Sequence, residues 1–199
     1  IFFLMLALYA LVATRNKLAT GALAAAFLAK LVPLILLPTF WKASGTAAQK
    51  SLRDLLRLEG RRPLLYFPLL CLLGLLPYAD IGTDMAAGLG TYLRHWHFND
   101  FIYSALRDLL LLIDPAAALH ARWICSALLV STAYYALKNT ADPMRAAFWL
   151  MGAYTLLSPT LHPWYLLWVL PFMPFFCRSA WILLAALVFL AYEVLIDYS

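Results

Sequence analysis

Between Arg62 and Asp80 the chain runs for seventeen residues, PLLYFPLLCLLGLLPYA, without a charge. As a helix this segment would be about 25 Å long, just enough to cross a bilayer core. Stretches almost as apolar recur at 1–13, 18–41, 115–137, 143–157, 164–177 and 180–196. Their sum leaves little to cover a water-facing surface. Hydrophobic residues make up 65% of the chain and charged residues 13%, against about 45–50% and 25% in soluble domains. A soluble enzyme, a nucleic-acid binder and a disordered tail are excluded as readings of the whole chain. The expected fold is all-α: one polytopic transmembrane helix bundle over residues 1–199, with interfacial amphipathic helices.

The punctuation between apolar runs sets the expected elements. Residues 18–41 are broken by Lys30, Pro33 and Pro38, since proline inside a helix removes a hydrogen bond. Residues 42–62 form a basic loop in which Leu52, Leu55 and Leu56 suggest a short surface helix. Asp114-Pro115 and Asp142-Pro143 each read as an N-cap followed by a first-turn proline. They start the helices 115–137 and 143–157, and Ser158-Pro159 stops the second. In the long polar stretch, Met85, Leu89, Tyr92 and Trp96 share one helical face. Phe98, Ile102, Ala105, Leu109 and Leu112 repeat the pattern, with Asp100, Ser104, Arg107 and Asp108 opposite. Two helices lying on the bilayer surface over 80–114 are expected. The run that begins at Ile1 without a leader, and the one that reaches the last residues, suggest a fragment of a longer protein rather than a complete small one.

Loop charges orient the bundle. Loop 42–62 carries six basic residues, whereas 80–116 carries Arg94 and Arg107 with five Asp. The first, with 138–145 and Arg178, should face the cytoplasm, and 80–116 and 158–163 should face outward. Arg15 and Lys17 conflict with this, because both flanks of 18–41 are then basic. Either 18–41 spans once against the rule, or it enters and returns as a hairpin with Lys30 near its tip. Both remain open at this point.

The most informative segment is Ser158-Pro159-Thr160-Leu161-His162-Pro163-Trp164-Tyr165-Leu166-Leu167-Trp168. His162 precedes a proline, so its backbone should be extended. Its imidazole should project from an outward turn. The bland alternative is an aromatic interface anchor with an incidental histidine. Cys71, Cys125 and Cys177 are far apart in apolar surroundings and read as packing residues. His95 and His97, at i and i+2, would point to different helix faces, which argues against a shared metal. No metal or cofactor is expected.

The run SPTLHPWYLLWVLPF resembles the C-terminal signature of GT-C superfamily integral-membrane glycosyltransferases. Within that group it is most similar to bacterial polyprenyl-phosphate-mannose-dependent alpha-mannosyltransferases. Lys30-Leu31-Val32-Pro33 with Leu36-Leu37-Pro38, and the run from Gly88 to Asn99, resemble two further segments of the group in the same order. The resemblance covers nearly the whole chain, as about the C-terminal half of such an enzyme. It implies transfer of a sugar, mannose by the nearest match, from a polyprenyl-phosphate donor to a lipid or glycan acceptor. The reaction would take place on the outer face of the cytoplasmic membrane, in a multi-pass protein. The group's catalytic acid would lie in an outward loop upstream of Ile1, so no residue here is assigned that role. Asp80 and Asp84 read as capping or solvated loop carboxylates.

Such a reaction needs cationic or N–H donors beside the departing phosphate. His162, Lys30 and Arg122 are the expected donor-phosphate residues, and Tyr165, Trp164, His97 and Arg94 the expected cleft residues. Each has a plainer reading: snorkelling for Lys30, headgroup contact for Arg122, interfacial anchoring for the aromatics. A transporter or lipid flippase, which a broken helix and a buried lysine would suit, is the competing function. No internal repeat supports it.

Overall fold

The computed structural model describes residues 1–45, 61–98, 100–176 and 178–192. Leu52, Leu55 and Leu56, expected on a surface helix, lie outside these residues, as does Cys177. The described chain is helical, with one isolated parallel bridge between Phe98 and Thr160. It divides into two compact units, Ile1–Met85 with Ala133–Ala147, and Ala86–Thr132 with Phe148–Ser199.

In the first unit, α1 (Phe2–Val12) and α2 (Asn16–Ala29) pack on each other. Small side chains make that approach close: Ala7, Ala10, Ala19, Ala22 and Ala26 are all buried in these helices. Helix α2 also meets α4 (Phe67–Leu75), where the Phe27 and Phe67 rings lie 5.8 Å apart. The expected break at Lys30 is present. Lys30 caps α2 in an extended conformation, and the chain resumes as a 3-10 segment, Val32–Leu36, then α3 (Leu37–Ala43). Lys42 on α3 donates to the carbonyls of Leu137 and Thr140, the latter at 2.9 Å, and so caps the end of α7 (Ala117–Asn139). Its partial burial pulls the ammonium below its usual range. Arg61 is fully buried and donates through Nε to the Trp41 carbonyl at 2.6 Å.

The second unit holds α5 (Thr83–His95) from Ala86 onward, α6 (Phe101–Leu111), the first part of α7 and most of α8 (Pro143–Leu157). Its later elements are the 3-10 segments Pro163–Trp168 and Leu170–Phe172, then α9 (Met173–Phe176), α10 (Ser179–Leu187) and a last 3-10 segment, Val188–Tyr192. Tyr103, Ala121 and Cys125 form a buried cluster with Leu106, Leu110 and Leu157 around it. Helix α6 therefore has a second apolar face, Tyr103–Leu106–Leu110, beside the expected one. The expected face is the one left uncovered, with Ala105, Leu109 and Leu112 all exposed.

Proline explains the fragmentation. Pro33, Pro38, Pro63, Pro68, Pro77, Pro163 and Pro171 each fall in the first two positions of a new helical segment. Lacking an N–H, each stops the preceding ladder and starts another turn at no cost there. The expected helix 63–79 is thus three joined pieces, and 164–177 is wound mainly as 3-10 turns rather than as one α-helix. Among the described residues no helix is both long and apolar enough to cross a membrane. The longest, α7, carries His120, Arg122 and Lys138.

Asp142-Pro143 starts α8 as expected, whereas α7 begins at Ala117, two residues later than expected, with Asp114 and Pro115 in a turn ahead of it. The Asp114 carboxylate accepts the Ala116 N–H at 2.9 Å, and Asp142 accepts the Met144 N–H at 2.9 Å. The Asp114 carboxyl lies below its ordinary range, chiefly through that backbone bond and next through His120, whose ring it also contacts.

Candidate functional site

The two stretches after Trp96 and after Ser158 meet through their backbones. The Phe98 N–H donates to the Pro159 carbonyl at 3.0 Å, and the Leu161 N–H donates to the Phe98 carbonyl at 2.8 Å. The Ser158 hydroxyl fixes the same turn, donating to the Thr160 carbonyl at 2.9 Å and accepting the Thr160 N–H at 3.2 Å. Pro159 and Pro163 stiffen it from both sides.

This pairing delivers His162 into a stack of rings. Its backbone is extended, at φ −77° and ψ 150°, as its place before Pro163 requires. The imidazole stacks with Phe98, at 4.9 Å, and with Trp164, at 4.4 Å and nearly parallel. Tyr165 meets its edge at 5.4 Å. A ring stacked on two neighbours is held in orientation, while its nitrogens act in the ring plane. Tyr165 is buried and Trp164 half exposed, so the two neighbours play different parts.

The Tyr165 and Tyr92 hydroxyls are 3.1 Å apart. Tyr92 leans on Trp96 with ring centroids at 5.6 Å. Arg122 donates to the Trp96 carbonyl at 3.1 Å and lies 5.1 Å over the Tyr103 ring. A planar guanidinium carries five donors, so a single carbonyl leaves it capacity for an anion. Tyr92, Trp96, Arg122, Ser158 and Thr160 all border one cavity of about 410 Å³.

Of the expected site residues, His162, Trp164, Tyr165 and Arg122 thus come from one unit and are connected through Trp96, Phe98 and Tyr92. Lys30 belongs to the first unit, exposed at the break after α2. His97 is exposed just beyond the end of α5. The side chain of Arg94 lies outside the described part of the structure. Sequence reasoning missed Tyr92, Phe98 and Tyr154, the last of which also borders this cavity, as site residues. The signal for the first two was their place in the Gly88–Asn99 run. Among the described residues no three His, Cys, Asp or Glu side chains gather as a metal site requires.

Residues 104–198 match the family model of the MptB C-terminal domain. The match covers just under half of the chain and supports a mannosyltransferase-like family. It takes in Arg122, the 158–162 turn, His162, Trp164 and Tyr165, but begins after Tyr92 and Phe98. No curated protein and no solved structure matches the chain.

Proposed function

We propose that the chain is part of a multi-pass membrane glycosyltransferase that moves a hexose, mannose by its family likeness, from a polyprenyl-phosphate donor to a lipid or glycan acceptor. The outer face of the cytoplasmic membrane is the proposed location. The observation that carries the reading is the coincidence of the family match with the held imidazole of His162 and the guanidinium of Arg122 in one unit. Membrane residence is supported by the apolar composition. It is also supported by large apolar side chains left uncovered on α6 and after it, Phe101 at 85%, Leu112 at 78% and Ile113 at 83% exposure.

In the proposed reaction the acceptor hydroxyl oxygen bonds to C1 of the sugar as the bond from C1 to the phosphate oxygen breaks. The electron pair goes to the phosphate, and the hydroxyl proton goes to a base not assigned in this chain. Arg122, fixed by Trp96, offers a permanent charge to the leaving phosphate. His162 offers an oriented N–H, with Coulomb attraction added when it is protonated. Fixed donors of this kind favour the transition state, where the charge is greatest.

The test is transfer from polyprenyl-phosphate mannose in membranes containing the full-length protein. His162→Ala should lower turnover on the order of 100-fold, about 3 kcal/mol. Trp164→Phe keeps a ring on the imidazole and should do much less. Equal, small effects would make the HPWY run an interface anchor and overturn the site.

A further inference from the structure

We propose that the cavity beside Arg122 is a hexopyranose subsite. The proposal rests on the glycosyltransferase reading and adds to it where the sugar sits. At about 410 Å³ the cavity falls within the ordinary range for small-molecule sites, roughly 300–1,000 Å³.

Its lining is made by spacing. Leu119, Arg122, Trp123, Ser126 and Leu129 recur every three or four residues and share one face of α7. Opposite them stand Tyr92, Trp96, Tyr154 and the Ser158–Thr160 turn. A pyranose has flat C–H patches and a rim of hydroxyls, so it needs aromatic surfaces beside donors and acceptors. Trp96, Trp123 and Tyr154 offer the surfaces, and Trp123 is 66% exposed, unlike a core residue. Five lining residues bear hydroxyls, Tyr92, Ser126, Tyr154, Ser158 and Thr160, and Arg122 adds N–H donors. Two of these hydroxyls are already held in place within the protein, Tyr92 by Tyr165 and Ser158 by Thr160. The guanidinium on the wall joins the sugar space to the phosphate that it would hold.

Donor and acceptor sugars share this chemistry, and binding measurements on the full-length protein in detergent separate them. The probes are methyl α-mannopyranoside, polyprenyl-phosphate mannose and sugar-free polyprenyl phosphate. Ser126→Leu fills the cavity, and Trp123→Ala removes a wall. Each should weaken a mannose-bearing probe about tenfold or more, whereas Trp123→Phe should restore most of it. Sugar-free polyprenyl phosphate should bind all these variants as it binds the unaltered protein. Loss confined to the methyl glycoside assigns the cavity to the acceptor, and loss confined to the lipid-linked sugar assigns it to the donor. Absence of hexose binding, unchanged hexose affinity in folded variants, or equal loss of the sugar-free probe would overturn the proposal. If Ser126→Leu does not fold, the Trp123→Ala and Trp123→Phe pair decides alone. Failure of the glycosyltransferase reading shows elsewhere, as sugar-free polyprenyl phosphate that does not bind or does not respond to His162→Ala.

Discussion

His162 and Asp114 show how single residues carry this structure. Backbone restriction aims His162, and stacking on Phe98 and Trp164 holds it, so its chemistry is not lost to rotation. Asp114 acts through its charge. It accepts the Ala116 N–H and pairs with His120 at the start of α7, the helix that carries Arg122. Its folded pKa is depressed, so its stabilising contribution is present above the unfolded value, near about 3.9. That contribution is lost as pH falls through the lower folded value. Asp114→Ala should therefore lower the thermal midpoint at pH 7, with the gap to the unaltered protein narrowing as pH falls below about 4. A gap that stays constant down to pH 3 would contradict this role. The Asp142-Pro143 start was legible in the sequence because an N-cap is a local device, whereas the turn that moves the start of α7 from 115 to Ala117 was not. The stack around His162 was not, because Phe98 and Thr160 are joined only by backbone bonds between distant stretches.

At the scale of elements, close approach is the limiting condition. A Cβ added at Gly152 on α8 would stand 2.8 Å from the Trp181 indole of α10. That indole also packs edge-on against Phe148, at 6.1 Å, so it has little room to yield. Gly152→Ala should destabilise the protein by about 1–3 kcal/mol in detergent unfolding measurements. Trp181→Phe in the same chain should recover part of that loss. At Gly74 the added Cβ would meet the Leu28 side chain, a terminal methyl first, and a flexible side chain can turn away. Gly74→Ala should cost less, and a larger effect there would contradict the packing argument. The existence of α7 and α8 was readable from apolar spacing, and the start of α8 from its Asp142-Pro143 cap. The winding of 164–177 was not, because Pro163 and Pro171 restart the chain in 3-10 turns that hydrophobicity does not register. The second apolar face of α6 was also hidden, since Tyr103, Leu106 and Leu110 follow a helical spacing overlapped by the first.

For the whole molecule, the account requires a sided membrane protein. Cysteine introduced at Lys50 should be labelled only from the cytoplasm, and cysteine introduced at Asp84 only from outside, as the loop charges demand. The reverse pattern would put the His162 turn on the wrong side for a polyprenyl-phosphate donor used outside. The transporter alternative shares the broken helix at Lys30 but makes no new glycosidic bond. The most direct measurement supplies sealed membranes containing the full-length protein with radiolabelled polyprenyl-phosphate mannose on the outer side, no nucleotide sugar and a mannose-bearing acceptor. The account predicts label joined covalently to the acceptor, and much less of it with His162→Ala. Label that crosses the membrane still attached to its lipid, or an acceptor labelled only when a nucleotide sugar is supplied, would contradict it.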